Sequence, residues 1–181
     1  MKAQSMPPFE FLNHMFAVSK ESPSGLVWKN SNATWVKAGH VAGSLCKDNY
    51  WQVKITYNKQ CLLYQVHRIV YYLHTGINPK DLLIDHVNGK ENNVDNLRLA
   101  TCSQNSQHQK AKAKENKTSK YKGVYLTNEH NKPSRWRAVI SVNKKRIYLG
   151  RFKTEEEAAK AYNQAAVLYH KEYAVLNTLL L

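Results

Sequence analysis

Between Ile84 and His108 the chain sets an acid and an imidazole side by side, Asp85 and His86, at the end of a short apolar run, Leu82-Leu83-Ile84. Asn88-Gly89 follows as a turn signal. Asn96-Leu97-Arg98-Leu99 then reads as a second short strand, and from Ser103 a polar helix carries Gln104, Asn105 and His108. Strand, polar loop, strand and helix in that order return the helix's polar side chains to the first strand. Such an order gathers oxygen ligands for one divalent metal and one general base within a single short stretch.

The 181 residues suffice for one medium domain or two small ones. The net charge of +14 favours a polyanionic partner, nucleic acid above all. A membrane-surface protein would collect this charge on one amphipathic helix. Here it is spread as +4 over residues 1–100, +4 over 101–120 and +6 over 121–181. No apolar run approaches the ~20 residues of a membrane span. The segment Met1–Phe16, with Pro7, Pro8 and Glu10 inside it, lacks a secretory apolar region. Cys46, Cys61 and Cys102 are scattered and odd in number, with no Cys-x-x-Cys pair, which speaks against a disulfide framework and against structural zinc. The expectation is a soluble intracellular protein without a membrane partner.

Residues 1–22 look weakly structured, with one short helix around Phe9–Phe16. Leu26–Trp28 reads as a strand, Tyr50–Thr56 alternates with period two, and Asn58-Lys59 turns it into Cys61–Val66. Val66–His74 reads as a helix, stopped by Gly76 and Pro79. Trp28, Trp35 and Trp51 are candidate core residues. Residues 107–120, rich in Lys, Gln, Asn and Ser, form a candidate basic linker. Three further strands are expected at Tyr121–Leu126, Trp136–Val142 and Arg146–Leu149, with Asn143-Lys144-Lys145 turning the last pair. Thr154-x-x-Glu157 is a capping box opening a helix whose apolar stripe is Ala158, Tyr162, Ala165 and Tyr169.

Val66-His67-Arg68-Ile69-Val70, Gly76, Pro79, Ile84–Gly89, Asp95–Arg98 and Gln104-Asn105 together resemble the HNH nucleases of the phage and intron-encoded homing type, closely over residues 60–110. The resemblance implies a ββα-metal site with catalytic residues Asp85, His86, Asn96 and Asn105. Asp85 and Asn105 would hold one Mg²⁺ or Mn²⁺, His86 would be the general base, and Asn96 would brace the loop through backbone hydrogen bonds. Hydrolysis of a phosphodiester needs a water deprotonated, a pentavalent phosphorane stabilised and charge on the leaving oxygen neutralised. A near-neutral imidazole suits the first task and a hard divalent cation the others. Arg68 and Arg98 are candidate phosphate contacts. His67 reads as a buried histidine or a site group, and His108 as a helper on the helix; both readings stay open. His14, His40, His74, His130 and His170 lie outside the constellation.

Tyr121–Val124, Trp136-Arg137-Ala138, Tyr148–Phe152 and Thr154–Tyr162 are similar to the APETALA/ethylene-response-factor DNA-binding domain. That resemblance spans about residues 121–177 and implies a three-stranded sheet laid in the major groove with a helix behind it. Alternation puts Trp136, Ala138, Ile140 and Val142 toward the helix and Arg137, Val139 and Ser141 away from it. Lys122, Arg137, Arg146 and Tyr148 are then the candidate DNA contacts. Tyr125, Val139 and Ser141 stand where plant members carry other base-reading residues, so no target sequence is implied.

The sequence therefore predicts an α+β protein. An N-terminal segment covers 1–24, the nuclease domain 25–106 with its metal core at 82–110, the linker 107–120, and the DNA-reading module 121–181. The function expected is metal-dependent, site-selective hydrolysis of double-stranded DNA by a phage-encoded monomer or homodimer acting in the host cytoplasm. Two other readings stay open at this level: a non-catalytic DNA-binding regulator with a relic nuclease fold, and a packaging accessory that nicks DNA.

Overall fold

Period-two alternation in Trp51–Tyr57 turns Val53 and Ile55 inward and leaves Lys54 and Thr56 exposed, and the hairpin is closed by Asn58 and Lys59, both left-handed, as a two-residue turn requires. The computed structural model describes residues 5–30, 36–109, 118–127 and 135–179. The chain has an α+β fold and divides into two compact units, Met1–Ala100 and Thr101–Leu181. This division falls ahead of the boundary at 106 expected from the sequence. Most of the expected linker, residues 110–117, lies outside the described residues, as does Trp35.

In the first unit, helix α1 (Phe9–Met15) leads into strand β1 (Phe16–Val18), which pairs antiparallel with β2 (Leu26–Trp28). A three-stranded antiparallel sheet follows in the order β3 (Ser44–Leu45), β4 (Trp51–Tyr57), β5 (Gln60–Gln65). Helix α2 (Val66–Thr75) then buries Val66, His67, Ile69 and Val70 along one face and stops at Gly76. Strands β6 (Leu83–His86) and β7 (Leu97–Ala100) form an antiparallel pair. One core joins these elements through Leu12, Phe16, Leu26, Val53, Ile55, Ile69, Val70, Ile84 and Leu97. Trp28 and Trp51 pack against its rim. The short helix expected around Phe9–Phe16 is present, while the expectation of weak structure is corrected for residues 5–22. Leu12 and Phe16 are fully buried, and each such side chain stabilises the unit by roughly 1.5–3 kcal/mol.

The second unit begins with helix α3 (Cys102–His108), whose N-terminus is closed by a reciprocal Thr101–Gln104 capping box. Strands β8 (Val124–Thr127), β9 (Arg135–Val142) and β10 (Lys145–Phe152) form an antiparallel sheet with β9 central. Helix α4 (Glu155–His170), capped by Thr154 and Glu157, packs on it. Ala138 and Ile140 are buried toward α4, while Arg137 and Ser141 are exposed on the other face. Strand β8 starts three residues later than the sequence suggested. At Gly123 the backbone is left-handed (φ +74°), and a Cβ there would lie 2.2 Å from the Tyr162 ring and 2.6 Å from the Val139 carbonyl oxygen, so the chain turns before it extends. The buried stripe of α4 ends at His170 instead of Tyr169, which is 42% exposed. The contact arc continues Tyr162–Ala166–His170, and His170 Nε2 lies 2.9 Å from the Ser141 carbonyl oxygen.

Candidate active site

Asp85 and Arg98 stand directly opposite each other in the β6–β7 register and so share a face of the ribbon. Arg98 Nε and Nη2 each lie 2.8 Å from Asp85 Oδ2. The carboxylate is 5% exposed. Cross-strand pairing thus places a buried negative charge at the strand end and a guanidinium on one of its two oxygens.

His86, next along β6, faces the other way. Its ring stands edge-on to His67 of α2, with centroids 5.2 Å apart, and 6.0 Å from the ring of Tyr50. Tyr50 also meets His67 edge-on at 5.7 Å. On its remaining side, His86 Nε2 lies 3.0 Å from Asn92 Oδ1. The loop from β6 to β7 is held by Asn96. Its Oδ1 accepts from the Asn88 amide (2.7 Å), and its Nδ2 donates to the carbonyls of Asn88 (2.6 Å) and Glu91 (2.9 Å). The Val87 amide adds a bond to the Asn96 carbonyl at 2.9 Å. A polar loop that buries little apolar surface is thereby fixed at both ends.

The first unit therefore brings together Asp85, His86, Asn96 and Arg98. It adds His67, which the sequence left undecided, and Tyr50 and Asn92, which it did not single out. Arg68 donates to the carbonyls of Leu82 (2.8 Å) and Lys80 (2.6 Å), tying α2 to the approach into β6. Asn105 and His108 stand one turn apart on α3, within the second unit.

Burial above all, then the charges of His86 and Arg68, push the His67 imidazole down to about 3. Among the described residues its Nδ1 has no hydrogen-bond partner. It is a neutral packing ring at any ordinary pH. Since the unfolded chain takes up this proton near 6.5, the stability from keeping His67 neutral is whole above that pH. It is lost toward pH 3 at about 1.4 kcal/mol per unit. His67→Phe should flatten the fall in urea midpoint between pH 6.5 and 4. An unchanged slope would remove His67 as its source.

On the sheet of the second unit, the face away from α4 carries Arg137, its guanidinium 5.0 Å from the Tyr148 ring centroid, together with Arg146. A bulge between Tyr148 and Gly150 adds Arg151, opposite Arg137 in the register, to the same face. Simple alternation continued from Arg146 and Tyr148 would put Arg151 toward the helix, and the signal for the reversal is Gly150 itself. Lys122 is turned inward. Its ammonium donates to the carbonyl of Gln107 and, at 2.6 Å, to that of Gln109, closing the C-terminal end of α3, and burial lowers its pKa to about 8.

A strand-end Asp-His pair, an asparagine-clamped loop and a second strand lie within residues 64–107, which match the family described as HNH endonuclease. The chain is 35% identical to an HNH endonuclease of Acanthamoeba polyphaga mimivirus over 116 residues, 62% of this chain and 57% of that protein. It is 36% identical over 66 residues to an ethylene-responsive transcription factor-like protein of Arabidopsis thaliana, and 45% identical over 62 residues to APETALA2-like protein 2 of Oryza sativa subsp. indica. These matches cover 36% and 33% of this chain but only 27% and 13% of the plant proteins. The chain thus spans somewhat over half of the viral relative and little more than a quarter of the plant ones at most. Both resemblances read from the sequence are borne out: an HNH endonuclease domain and a C-terminal domain of the APETALA/ethylene-response-factor type. No solved structure matches the chain.

Proposed function

We propose that this protein is a divalent-metal-dependent, site-selective DNA endonuclease of the homing type, encoded by a phage and acting in the host cytoplasm. The observation that carries the reading is the end of β6. There a buried carboxylate and an imidazole on opposite faces of one strand are held by Arg98 and by the Asn96-clamped loop. In the reaction, His86 takes a proton from water while the oxygen keeps the electron pair and bonds to phosphorus. The bond from phosphorus to the 3′ oxygen breaks, that oxygen takes a proton from solvent water, His86 returns its proton to solvent, and the ends are a 5′-phosphate and a 3′-hydroxyl.

No group of three or more His, Cys, Asp or Glu able to hold a metal occurs among the described residues. A single buried carboxylate with hard oxygen chemistry fits Mg²⁺ or Mn²⁺, since Mg²⁺ keeps much of its water and binds through one or two carboxylates and the substrate phosphate. Asp85 would hold it, with Asn105 as the second ligand on the strength of the resemblance. When bound, the ion would stabilise the charge that develops on the phosphoryl and leaving oxygens. Asn96 keeps the loop in place. Arg137, Arg146 and Tyr148, with Arg151 beside them, would meet the DNA groove.

The test is a supercoiled plasmid carrying candidate target DNA, incubated with the protein and Mg²⁺ or Mn²⁺. The expected result is conversion to open-circle or linear DNA that EDTA stops. Open circle indicates nicking, and linear product indicates paired sites. Salt-sensitive binding without cleavage under either metal would overturn the proposal in favour of a DNA-binding regulator.

A further inference from the structure

We propose that Asn92 is a positioning residue that fixes the ring tautomer of His86, leaving Nδ1 as the atom that accepts the proton from water; the second clause rests on the nuclease reading above. The two ends of an asparagine amide are chemically distinct, so one certain partner orients both. Asn92 Nδ2 lies 2.9 Å from the Ser24 carbonyl oxygen, which can only accept. The nitrogen therefore faces Ser24 and Oδ1 faces His86 Nε2 at 3.0 Å. Oδ1 also only accepts, so Nε2 must carry the hydrogen. A neutral imidazole has one N–H, and its lone pair is left on Nδ1.

The orientation is held from far away in sequence. Asn92 is 4% exposed and Ser24 fully buried. The Ser24 hydroxyl donates to the Leu26 carbonyl (2.9 Å) and lies 3.2 Å from the Leu26 amide, which pins its backbone to the start of β2. Gly25, at φ +77°, brings the chain directly against Asn92: a Cβ there would lie 2.5 Å from the Asn92 carbonyl oxygen and 2.9 Å from its Cβ. Rotating the amide would set its NH₂ against Nε2–H and its oxygen against the Ser24 carbonyl, losing two buried hydrogen bonds at once. With His67 and Tyr50 beside it, the His86 ring is held on three sides. When Nδ1 takes the proton, Nε2 keeps its own toward Asn92.

The tautomer is read directly by two-bond ¹H–¹⁵N correlation spectra of the histidine rings in the ¹⁵N-labelled full chain, at a pH where His86 is neutral. The wild type should show a pyrrole-like Nε2 and a pyridine-like Nδ1. In Asn92→Leu the two nitrogens should move toward averaged shifts. Turnover should fall at least ~10-fold with KM unchanged, yet by less than the ~10²–10⁴ that a general base supplies. Asn92→Asp keeps an oxygen acceptor toward Nε2, so the hydrogen should stay on Nε2, although its second oxygen then opposes the Ser24 carbonyl and costs stability. A wild-type ring protonated on Nδ1, an unchanged tautomer in Asn92→Leu, or its loss in Asn92→Asp would each overturn the proposal. Wild-type protein that shows the Nε2–H ring but cuts no DNA would sink the nuclease reading and leave the assignment of Asn92 to His86 standing.

Discussion

His86→Ala is expected to bring strand cleavage down by ~10²–10⁴-fold, the contribution of a well-placed general base, while DNA binding stays close to that of the wild type. The side chain is half-buried at the end of β6 and outside the apolar core of its unit, so its removal leaves the sheet and α2 in place. What it does leave is the buried Asn92 oxygen without its partner, at a cost of about 1–3 kcal/mol. A melting curve should accompany the kinetics for that reason. The informative pair of measurements is single-turnover cleavage of plasmid and fluorescence anisotropy on a short duplex. A variant that still cut at the wild-type rate would take the base away from His86. One that lost binding in parallel would mean that the residue grips DNA instead.

Arg98→Met is expected to destabilise the first unit by about 3–5 kcal/mol, the usual cost of stripping a buried charge of its counter-ion. The size follows from the asymmetry of the pair, with Asp85 almost fully enclosed and the side chain of Arg98 19% exposed. The variant keeps an unbranched stem of similar reach, so the loss reports the charge. Asp85→Asn combined with Arg98→Met should regain most of the stability, because the buried charge is then gone as well. Urea denaturation of the four proteins that make up the cycle gives the coupling directly. A loss below ~1 kcal/mol for Arg98→Met would place the pair among weak surface bridges and would mean that Asp85 is held by its other contacts.

Local rules carried much of the fold. The alternation of Trp51–Tyr57, the Asn-Lys turns at 58–59 and 143–144, and the capping box of Thr154 and Glu157 are each written within a few neighbouring residues. The Asp85-His86 pair is likewise adjacent, and the loop asparagine Asn96 follows ten residues after His86. What stayed hidden depends on distance or on a change of parity. The burial of Leu12 and Phe16 is decided by β2 and α2, which the N-terminal residues do not announce. Asn92 looks like any loop asparagine until Ser24, 68 residues earlier, takes its amide. Arg151 changes face because of a single extra residue in β10. His170 reads as a polar helix end, and the Ser141 carbonyl makes it an inward one.

Part of the positive charge is engaged by the fold's own oxygen atoms. Arg68 is held by two backbone carbonyls, Arg98 by Asp85, Lys122 by the end of α3, Lys90 by the Asp48 carbonyl and Lys29 by Asn13. A cation so engaged releases no counter-ion when a duplex arrives. The dependence of log K on log salt counts only side chains that reach phosphate, at a slope of about −0.9 for each. For this chain such a slope would leave out those five of its 27 Lys and Arg residues. Those five act as internal fasteners, so DNA binding of the kind proposed would weaken with rising ionic strength somewhat less than the isoelectric point implies.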